Sequence, residues 1–377
     1  MVALSGDDNA QLRSNDNRGG LSRGRRRAAG GSGEEQRGED ENAPHETKTT
    51  GRLGHAAPSV PPGIAGRLSH AFCYKLAMHA LRTAGAGILV AISVLAAGAP
   101  TASSSPTAAA PPRRAALCGT MARERPPLHI GHVVWIWFEN KSYGGVVGSQ
   151  DAPTFNRLAA ACGIATNYLA LSHPSLPNYI AATSGSTQGI ADDNDPSSHQ
   201  LNVQSIFGQV PSRSYEQSMP SNCLLANAGE YAARHNPEVY YVPIRAQCLK
   251  NDVPLSQLDA TALPRFSFVT PDVCSDMHDC SVSTGDSWLR SFLPRITNSR
   301  PYRSGQTVVF ITFDESEFDS GPNHVPTLVL SEWTRPGTRS SVPFDHYSLL
   351  RTTEELLGAP LLGNAAHVRS MRIAFHL

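Results

Sequence analysis

Two apolar runs, each followed at once by residues with side-chain oxygens, constrain the fold of this chain more than any other feature. The runs cover residues 133–138 and 308–313, and the oxygen-bearing residues that follow them are Glu139, Asn140, Asp314 and Glu315. Continuous apolar runs are typical of parallel strands that helices cover on both faces. Because the carboxyl ends of such strands meet at one ligand-binding edge, the pattern predicts an α/β fold with its site at that edge.

A serine between two prolines lies between these runs in the sequence. Pro174 and Pro177 flank Ser175, and proline fits best in a turn or in the first turn of a helix. We therefore expect a turn that leads into a helix over 178–184. Free N–H groups at the helix start would stabilise an anionic phosphoryl group, and a bound metal ion would lower the pKa of the serine hydroxyl. The alternative is that Ser175 only caps the helix.

Several motifs occur in the order in which one enzyme family carries them. They cover residues 139–143, 152–154, 167–168, 173–179, 183–185, 270–272 and 312–315. From about His132 to Gly363 the chain resembles the phosphoesterase family of bacterial acid phosphatases and phospholipases C, within the alkaline-phosphatase-like superfamily. The resemblance implies a three-layer α/β/α sandwich with a mostly parallel central sheet. Tyr179 stands where sulfatases of the superfamily carry an arginine, which argues against a sulfatase.

The resemblance also implies roles for individual residues. Ser175 looks like the nucleophile, which would form a phosphoserine, and His278 looks like a phosphate-contacting or proton-donating histidine. The residues similar to the family's metal ligands are Glu139, Asn140, Asp314 and Glu315. These oxygen ligands suit a divalent ion such as Mg²⁺, Ca²⁺ or Mn²⁺, whereas a contribution from His278 or His324 would shift the preference towards Zn²⁺ or Fe.

Five further residues are weaker candidates for contacts with the substrate. They are Asp193, Asn194, Asp272, Asp276 and His324. Related members of the superfamily hold a phosphate oxygen with an asparagine near the first two positions, although a solvated acidic loop explains these residues equally well. Asp272 and Asp276 could bind metal, contact phosphate or merely solvate a disulfide loop, and His324 could reach the rim of the site. For His346 we favour packing at a helix end.

We therefore expect a metal-dependent phosphoesterase that acts on a small phosphate monoester. A phosphodiester such as a phospholipid head group is the alternative, because the same core chemistry serves both. A binding module with a structural metal is a further hypothesis, and a serine esterase is disfavoured because the chain has no G-x-S-x-G motif. Zero formal net charge and the lack of a basic stripe after residue 115 argue against a nucleic-acid partner, and the oligomeric state stays open.

The first 112 residues differ in composition from the rest of the chain. Residues 1–77 are rich in Gly, Arg, Ser and Glu, so we expect them to be disordered. The alternative is that translation begins at Met78 and that these residues are not made. Residues 78–112 combine an apolar stretch up to Ala99 with an Ala/Pro/Ser/Thr linker, which is typical of a signal peptide. Export would place a phosphoesterase domain, residues 113–377, outside the cell or at its surface. An uncleaved membrane anchor is the alternative.

The cysteines favour the same compartment. Without Cys73 six remain, and an even number suits an oxidising environment. Six cysteines allow fifteen pairings, among which the sequence cannot choose. Short separations favour pairs 274–280 and 223–248, which would leave 118 with 162. No Cys-x-x-Cys pair occurs, which argues against structural zinc.

Overall fold

The computed structural model describes residues 116–317 and 321–377. The segments interpreted above as a disordered region and as a signal peptide with linker, 1–77 and 78–112, lie outside these residues. The boundary at residue 113 therefore stays a prediction. Within the two described ranges, no helix is both long enough and apolar enough to cross a membrane.

An eight-stranded sheet forms the centre of the fold, and a separate pair of short strands lies outside it. The strands are β1 (His132–Phe138), β2 (Gly163–Ala165), β3 (Tyr168–Leu169), β4 (Ser212–Glu216), β5 (Asp252–Pro254), β6 (Phe266–Thr270), β7 (Thr307–Phe313), β8 (Thr327–Leu330), β9 (Thr338–Ser340) and β10 (Phe344–Asp345). The order in the large sheet is β5-β4-β6-β1-β7-β8-β2-β9. Within it only β8 runs antiparallel to its two neighbours, and all other pairs are parallel. The separate pair, β3 and β10, is also parallel.

Helices connect and cover these strands. The α-helices are α1 (Tyr143–Val146), α2 (Pro153–Ala161), α3 (Ser175–Ser184), α4 (Ile206–Gln209), α5 (Arg245–Asn251), α6 (Val282–Phe292), α7 (Pro294–Thr297), α8 (Arg300–Arg303), α9 (His346–Leu357) and α10 (Arg372–Phe375). Short 3-10 helices cover Ala233–His235, Pro237–Tyr240, Val242–Ile244, Leu255–Gln257 and Gly363–His367.

Neighbouring residues of the central strand β1 show that helices cover both faces of the sheet. Trp137 contacts Tyr179 of α3 and His346 of α9. The next residue, Phe138, contacts Phe155 of α2, and α6 packs beside α2. Because successive side chains of a strand point to opposite faces, α3 and α9 cover one face while α2 and α6 cover the other. The predicted α/β/α sandwich with a mostly parallel sheet is confirmed.

The register of β1 and β7 brings their carboxyl ends to the same height. Phe138 is paired with Phe313, and all residues of both strands from 133 to 138 and from 307 to 313 are buried. The N–H of Asp314 donates to the carbonyl oxygen of Phe138 over 3.0 Å, so the parallel pairing continues into the following residues. Glu139 and Asp314 therefore leave the sheet side by side.

Helix α3 begins at Ser175, three residues earlier than the sequence pattern predicted. Pro177 is the third residue of the helix, where a missing N–H costs nothing because the first four N–H groups have no partner within the helix. Gly185 ends the helix in the left-handed region, with φ 77°. A side chain at this position would lie 2.2 Å from the backbone oxygen of Leu362, so the close approach of the two segments requires glycine.

Three disulfide bonds join the six cysteines of the described residues, in the two pairs that short separations favoured and the one pair that these left over. They are Cys118–Cys162, Cys223–Cys248 and Cys274–Cys280. The last one closes a loop with a sequence separation of only 6 residues, which contains Asp276 and His278. Such a closed loop restricts the backbone that carries these two candidate site residues.

Candidate active site

The hydroxyl of Ser175 lies in the acidic group at the carboxyl edge of the sheet. It donates a hydrogen bond of 3.0 Å to Oε2 of Glu139, which follows β1. Asp314, which follows β7, lies near Ser175, and this polar neighbour lowers the pKa of Asp314. Burial has the larger effect and raises the pKa of Asp314 to about 6. Sheet and helix thus place a serine between two buried carboxyl groups.

Glu139 is completely buried and is held by both of its carboxylate oxygens. The phenol of Tyr179 donates to Oε1, while Ser175 occupies Oε2. Tyr179 lies four residues after Ser175 in α3, so both side chains project from one face of the helix. Burial raises the pKa of Glu139 well above its usual range, and the negative charges of Asp314 and Asp276 raise it further.

Asn140 contacts Asp314 through its backbone. Its N–H donates to Oδ1 of Asp314 over 3.0 Å, and its φ of 51° lies in the left-handed region that asparagine tolerates. The other oxygen of Asp314, Oδ2, is buried and accepts no hydrogen bond from the described residues. The carbonyl oxygen of Asn140 accepts a bond of 3.0 Å from Nζ of Lys141. Asp314 therefore keeps one oxygen for a further ligand.

Glu315 points to a different partner from Asp314. Its Oε2 atom lies 2.8 Å from Nδ1 of His173, two residues before Ser175. Burial raises the pKa of Glu315 to about 9, with further contributions from Asp314 and Asp193, and burial lowers the pKa of His173. The pair lies beside Ser175 at the edge of the site.

His346 supports the backbone of Asp314, in addition to its packing at the start of α9. Its Nε2 atom lies 2.7 Å from the carbonyl oxygen of Asp314, and its Nδ1 atom lies 3.0 Å from the hydroxyl of Tyr168. Burial lowers the pKa of His346 to about 4, so the ring is neutral near pH 7. The carbonyl can only accept, so Nε2 carries the proton and Nδ1 accepts from Tyr168.

His235 completes the buried part of the site, although the sequence did not reveal it. Its Nε2 atom lies 3.4 Å from Oε2 of Glu139, and its Nδ1 atom lies 3.2 Å from Oδ2 of Asp276. Burial lowers its pKa well below the usual value, and the charge of Arg234 lowers it further. The only local signal is its position directly before the Asn-Pro pair that begins a 3-10 helix.

A half-exposed rim connects His278 with the start of α3. The Nη2 atom of Arg234 lies 3.1 Å from Nε2 of His278, whose Nδ1 atom lies 2.6 Å from Asp279. Arginine only donates, so Nε2 is the acceptor and the ring proton lies on Nδ1. Arg234 also lies 4.0 Å from Asp193, which accepts a bond of 2.8 Å from the N–H of Leu176.

The remaining predicted residues bond mainly outside this group. Asp272 accepts from the hydroxyl of Ser218 over 2.7 Å. The carbonyl oxygen of Asn194 accepts from the hydroxyl of Tyr240 over 3.0 Å, so its described contact uses the backbone. His324 stacks on Tyr143 at 4.5 Å between ring centres, and its Nε2 atom is buried without a hydrogen-bond partner among the described residues. Of the weaker candidates, the structure brings Asp193 and Asp276 to the site.

The donor atoms of this site fit a divalent cation. Glu139, His235 and His278 each offer one ligand atom, and these atoms lie within 4.8 Å of one another. Asp314 adds a buried oxygen without a partner, and several buried carboxyl groups in one place need a positive charge to be stable when ionised. A second group of potential ligands contains Cys223, Cys248 and Asp252, but its two cysteines form a disulfide and cannot bind a metal.

Known proteins share both the sequence pattern and the expected chemistry. Residues 145–360 match the Phosphoesterase family. A phosphatidylinositol-3-phosphatase from Mycobacterium tuberculosis is 31% identical over 243 residues, which cover 63% of this chain and 80% of that protein. A phosphate-repressible acid phosphatase from Penicillium chrysogenum is 28% identical over 249 residues, which cover 60% of this chain and 59% of that protein.

Solved structures include similar proteins at low sequence identity. One is a protein in the alkaline phosphatase superfamily from Vibrio parahaemolyticus, with a TM-score of 0.43, 12% identity and coverage of 66% of this chain and 72% of that chain. The chain spans less than two thirds of the length of the fungal acid phosphatases that it matches. The match over residues 145–360 covers more than half of the sequence, so the chain belongs to the Phosphoesterase family and is a phosphoric ester hydrolase.

Proposed function

We propose that the chain hydrolyses phosphate monoesters through a phosphoserine at Ser175 and depends on a divalent cation. The observation that carries this proposal is the position of the serine hydroxyl, which donates to Glu139 over 3.0 Å beside the buried Asp314 at the start of α3. A hydroxyl group among buried carboxyl groups at a helix start is suited to attack an anionic group that a cation neutralises.

In the first step, Oγ of Ser175 forms a bond with phosphorus while the bond from phosphorus to the leaving oxygen breaks. The serine proton passes to Oε2 of Glu139, which already accepts it in a hydrogen bond. A proton from water or from His278 goes to the leaving alcohol. A protonated His278 would have to release Arg234 from Nε2, because that atom accepts from the guanidinium group in this structure.

In the second step, water attacks the phosphoserine, the bond between Oγ and phosphorus breaks, and phosphate leaves. Glu139 returns its proton to Oγ, and the proton that the attacking water loses passes to His278 or to the hydroxide left by the first step, so the site returns to its starting state. The positive end of α3 and the guanidinium group of Arg234 would stabilise the phosphoryl oxygens in both steps.

The cation would be held by Glu139 and Asp314, with Asn140 and Glu315 as further predicted ligands. When bound, it would neutralise charge on the phosphoryl group and lower the pKa of the attacking hydroxyl. The neighbouring imidazoles of His235 and His278 favour an ion that accepts nitrogen as well as oxygen, such as Zn²⁺ or Mn²⁺.

Two aspects of the biological setting are also proposals. The relative named phosphatidylinositol-3-phosphatase supports a phosphoinositide head group as a second candidate substrate, again as a monoester. Export from the cell is supported by the three disulfide bonds, because such bonds persist mainly in oxidising compartments.

The test compares a chromogenic phosphate monoester with a chromogenic phosphocholine diester. We expect turnover of the monoester, and we expect it to be lost on chelation and in Ser175→Ala. Ser291→Ala is the matched control, because this serine is exposed on α6 and, among the described residues, its side chain bonds within its own helix. Acid quenching followed by mass spectrometry should detect phosphate on the peptide that contains Ser175.

Other outcomes would overturn parts of the proposal. Preference for the diester would support a phospholipase C, and turnover that survives chelation would exclude the metal-dependent step. Cation binding without turnover of either substrate would favour a binding module. Full activity of Ser175→Ala would remove the serine from the mechanism.

A further inference from the structure

Glu139 is shared between two side chains of one helix and one side chain of a loop. Ser175 and Tyr179 of α3 donate to Oε2 and Oε1, respectively, and His235 approaches Oε2 at 3.4 Å. A carboxylate can rotate about its last bond, which would exchange its two oxygens. The two donors from α3 are one helical turn apart and contact different oxygens, so they hold the carboxylate in one orientation.

The surroundings of Tyr179 leave its hydroxyl little freedom. The ring lies between the indole of Trp137, 4.8 Å away, and the imidazole of His235, 5.7 Å away and nearly parallel at 9°. The side chain is completely buried. Its hydroxyl donates to Glu139, its only described side-chain partner.

We propose that Tyr179 is a positioning residue that orients Glu139 and the ring of His235 for cation binding and for activation of Ser175. The inference rests on the proposed function, because it assigns Glu139 the roles of ligand and proton acceptor. Tyr179 would not touch the substrate or the reacting atoms. Its hydroxyl acts by excluding the other carboxylate orientation, and its ring acts by setting the plane of His235.

The variant Tyr179→Phe tests the role of the hydroxyl, because it keeps the ring and removes only the donor. We expect kcat to fall about 10- to 100-fold and the affinity for Mn²⁺, measured by calorimetric titration, to weaken over the same range, as is typical when a partner of a metal ligand is removed. KM for the monoester should change little, since Tyr179 is fully buried.

Tyr302→Phe is the matched control. Tyr302 is also fully buried and donates to a carbonyl oxygen, that of Leu117, over 3.0 Å. It lies on α8 before the start of β7, at the end of the strand opposite to Asp314. We expect this variant to keep both kcat and the affinity for Mn²⁺, and thermal melting of both variants shows whether either loses its fold.

Several outcomes separate this inference from the proposed function. Normal kcat and normal Mn²⁺ affinity in Tyr179→Phe, with Ser175→Ala inactive, would overturn the inference alone. Equal losses in Tyr179→Phe and Tyr302→Phe, or unfolding of Tyr179→Phe alone, would assign a structural role to the tyrosine. Activity in Ser175→Ala would instead overturn the proposed function.

Discussion

The chain buries two groups of acidic side chains, and their surroundings differ. The site cluster consists of Glu139, Asp276, Asp314 and Glu315, and the closed cluster consists of Glu216, Glu238 and Asp252. Burial raises the pKa of every one of these seven carboxyl groups. In both groups like charges add to this effect, so a raised pKa alone does not distinguish an active site from structural carboxyl groups.

The partners of the carboxyl groups make the distinction. In the closed cluster, neutral side chains donate the hydrogen bonds: Ser214 to Glu238 over 2.7 Å, Thr270 to Glu216 over 3.2 Å and Asn236 to Asp252 over 2.9 Å. The site cluster contacts the hydroxyl of Ser175 and the imidazoles of His173 and His235, and Arg234 lies beside it. A serine hydroxyl and two imidazoles among the carboxyl groups therefore distinguish the candidate site from the closed cluster.

The two clusters lie close together but belong to different strands. Glu216 ends β4, and Glu139 follows β1, which lies two strands away in the sheet. Thr270, at the end of the intervening strand β6, donates to Glu216 over 3.2 Å and to the carbonyl oxygen of His235 over 3.3 Å. A change in one cluster can therefore be compared with a matched change in the other within the same region of the fold.

The largest expected effect is a loss of activity when a carboxyl group of the site cluster, but not one of the closed cluster, is replaced. Glu139→Gln removes the proton acceptor of Ser175 and a proposed ligand, so we expect kcat to fall about 10²- to 10⁴-fold, as is typical for loss of a general base. Glu216→Gln makes the same chemical change in the closed cluster and should leave kcat unchanged. Steady-state hydrolysis of a chromogenic monoester measures both. Equal activity of the two variants would contradict the contrast between the clusters.

Cation binding should stabilise the fold through the site cluster alone. At a concentration 100 times Kd, a ligand that binds only the folded state adds about 2.7 kcal/mol to the free energy of unfolding. We expect Mn²⁺ to raise the melting temperature of the parent chain and of Glu216→Gln, and to have little effect on Glu139→Gln. An equal rise in all three proteins would place the cation elsewhere.

The closed cluster should make the fold less stable as the pH rises. Burial raises the pKa of Glu238 to about 7, so the folded chain holds a proton that the unfolded chain releases near its ordinary value. The stabilisation is complete below that ordinary value and is lost as the pH rises through about 7. Half-buried Arg245 favours the ionised form of Asp252 and lowers its pKa, which opposes this loss of stability. Tyr231 is also buried beside Asp252 but carries no positive charge, so it does not oppose the loss.

Urea unfolding of the parent chain and of Glu238→Gln tests this pH dependence. The site cluster titrates in both proteins, so their difference reports Glu238 together with its effect on the neighbouring Glu216 and Asp252. We expect the variant to gain on the order of 3 kcal/mol relative to the parent between about pH 4.5 and about pH 8, since the pKa of Glu238 rises from its ordinary value to about 7 and each pKa unit corresponds to about 1.4 kcal/mol. A constant difference across this range would show that Glu238 does not titrate in the folded chain.

The sequence predicts the part of the site that regular structure carries. Buried parallel strands occur in the sequence as apolar runs, so the positions of Glu139 and Asp314 follow from where these runs end. The prolines around Ser175 indicate the start of a helix. His235 and Arg234 lie in a segment of short 3-10 helices. Such a segment has no regular apolar pattern from which the orientation of its side chains could be predicted. Glu216 also ends a buried strand but lies outside the site, so the strand-end signal alone is incomplete.

The smallest expected effect concerns Arg234, at the rim of the site cluster. Arg234 presents a guanidinium group to His278 and lies 4.0 Å from Asp193, so we expect it to contact a phosphoryl oxygen of the substrate. Arg234→Lys keeps the charge but loses the planar pair of donors, and KM for the monoester should rise about 5- to 10-fold, which corresponds to about 1 kcal/mol, with a smaller change in kcat. Arg290→Lys, on the exposed side of α6, is the control. A fall in kcat with unchanged KM would instead indicate that Arg234 acts in the transition state through His278, whose Nε2 it occupies.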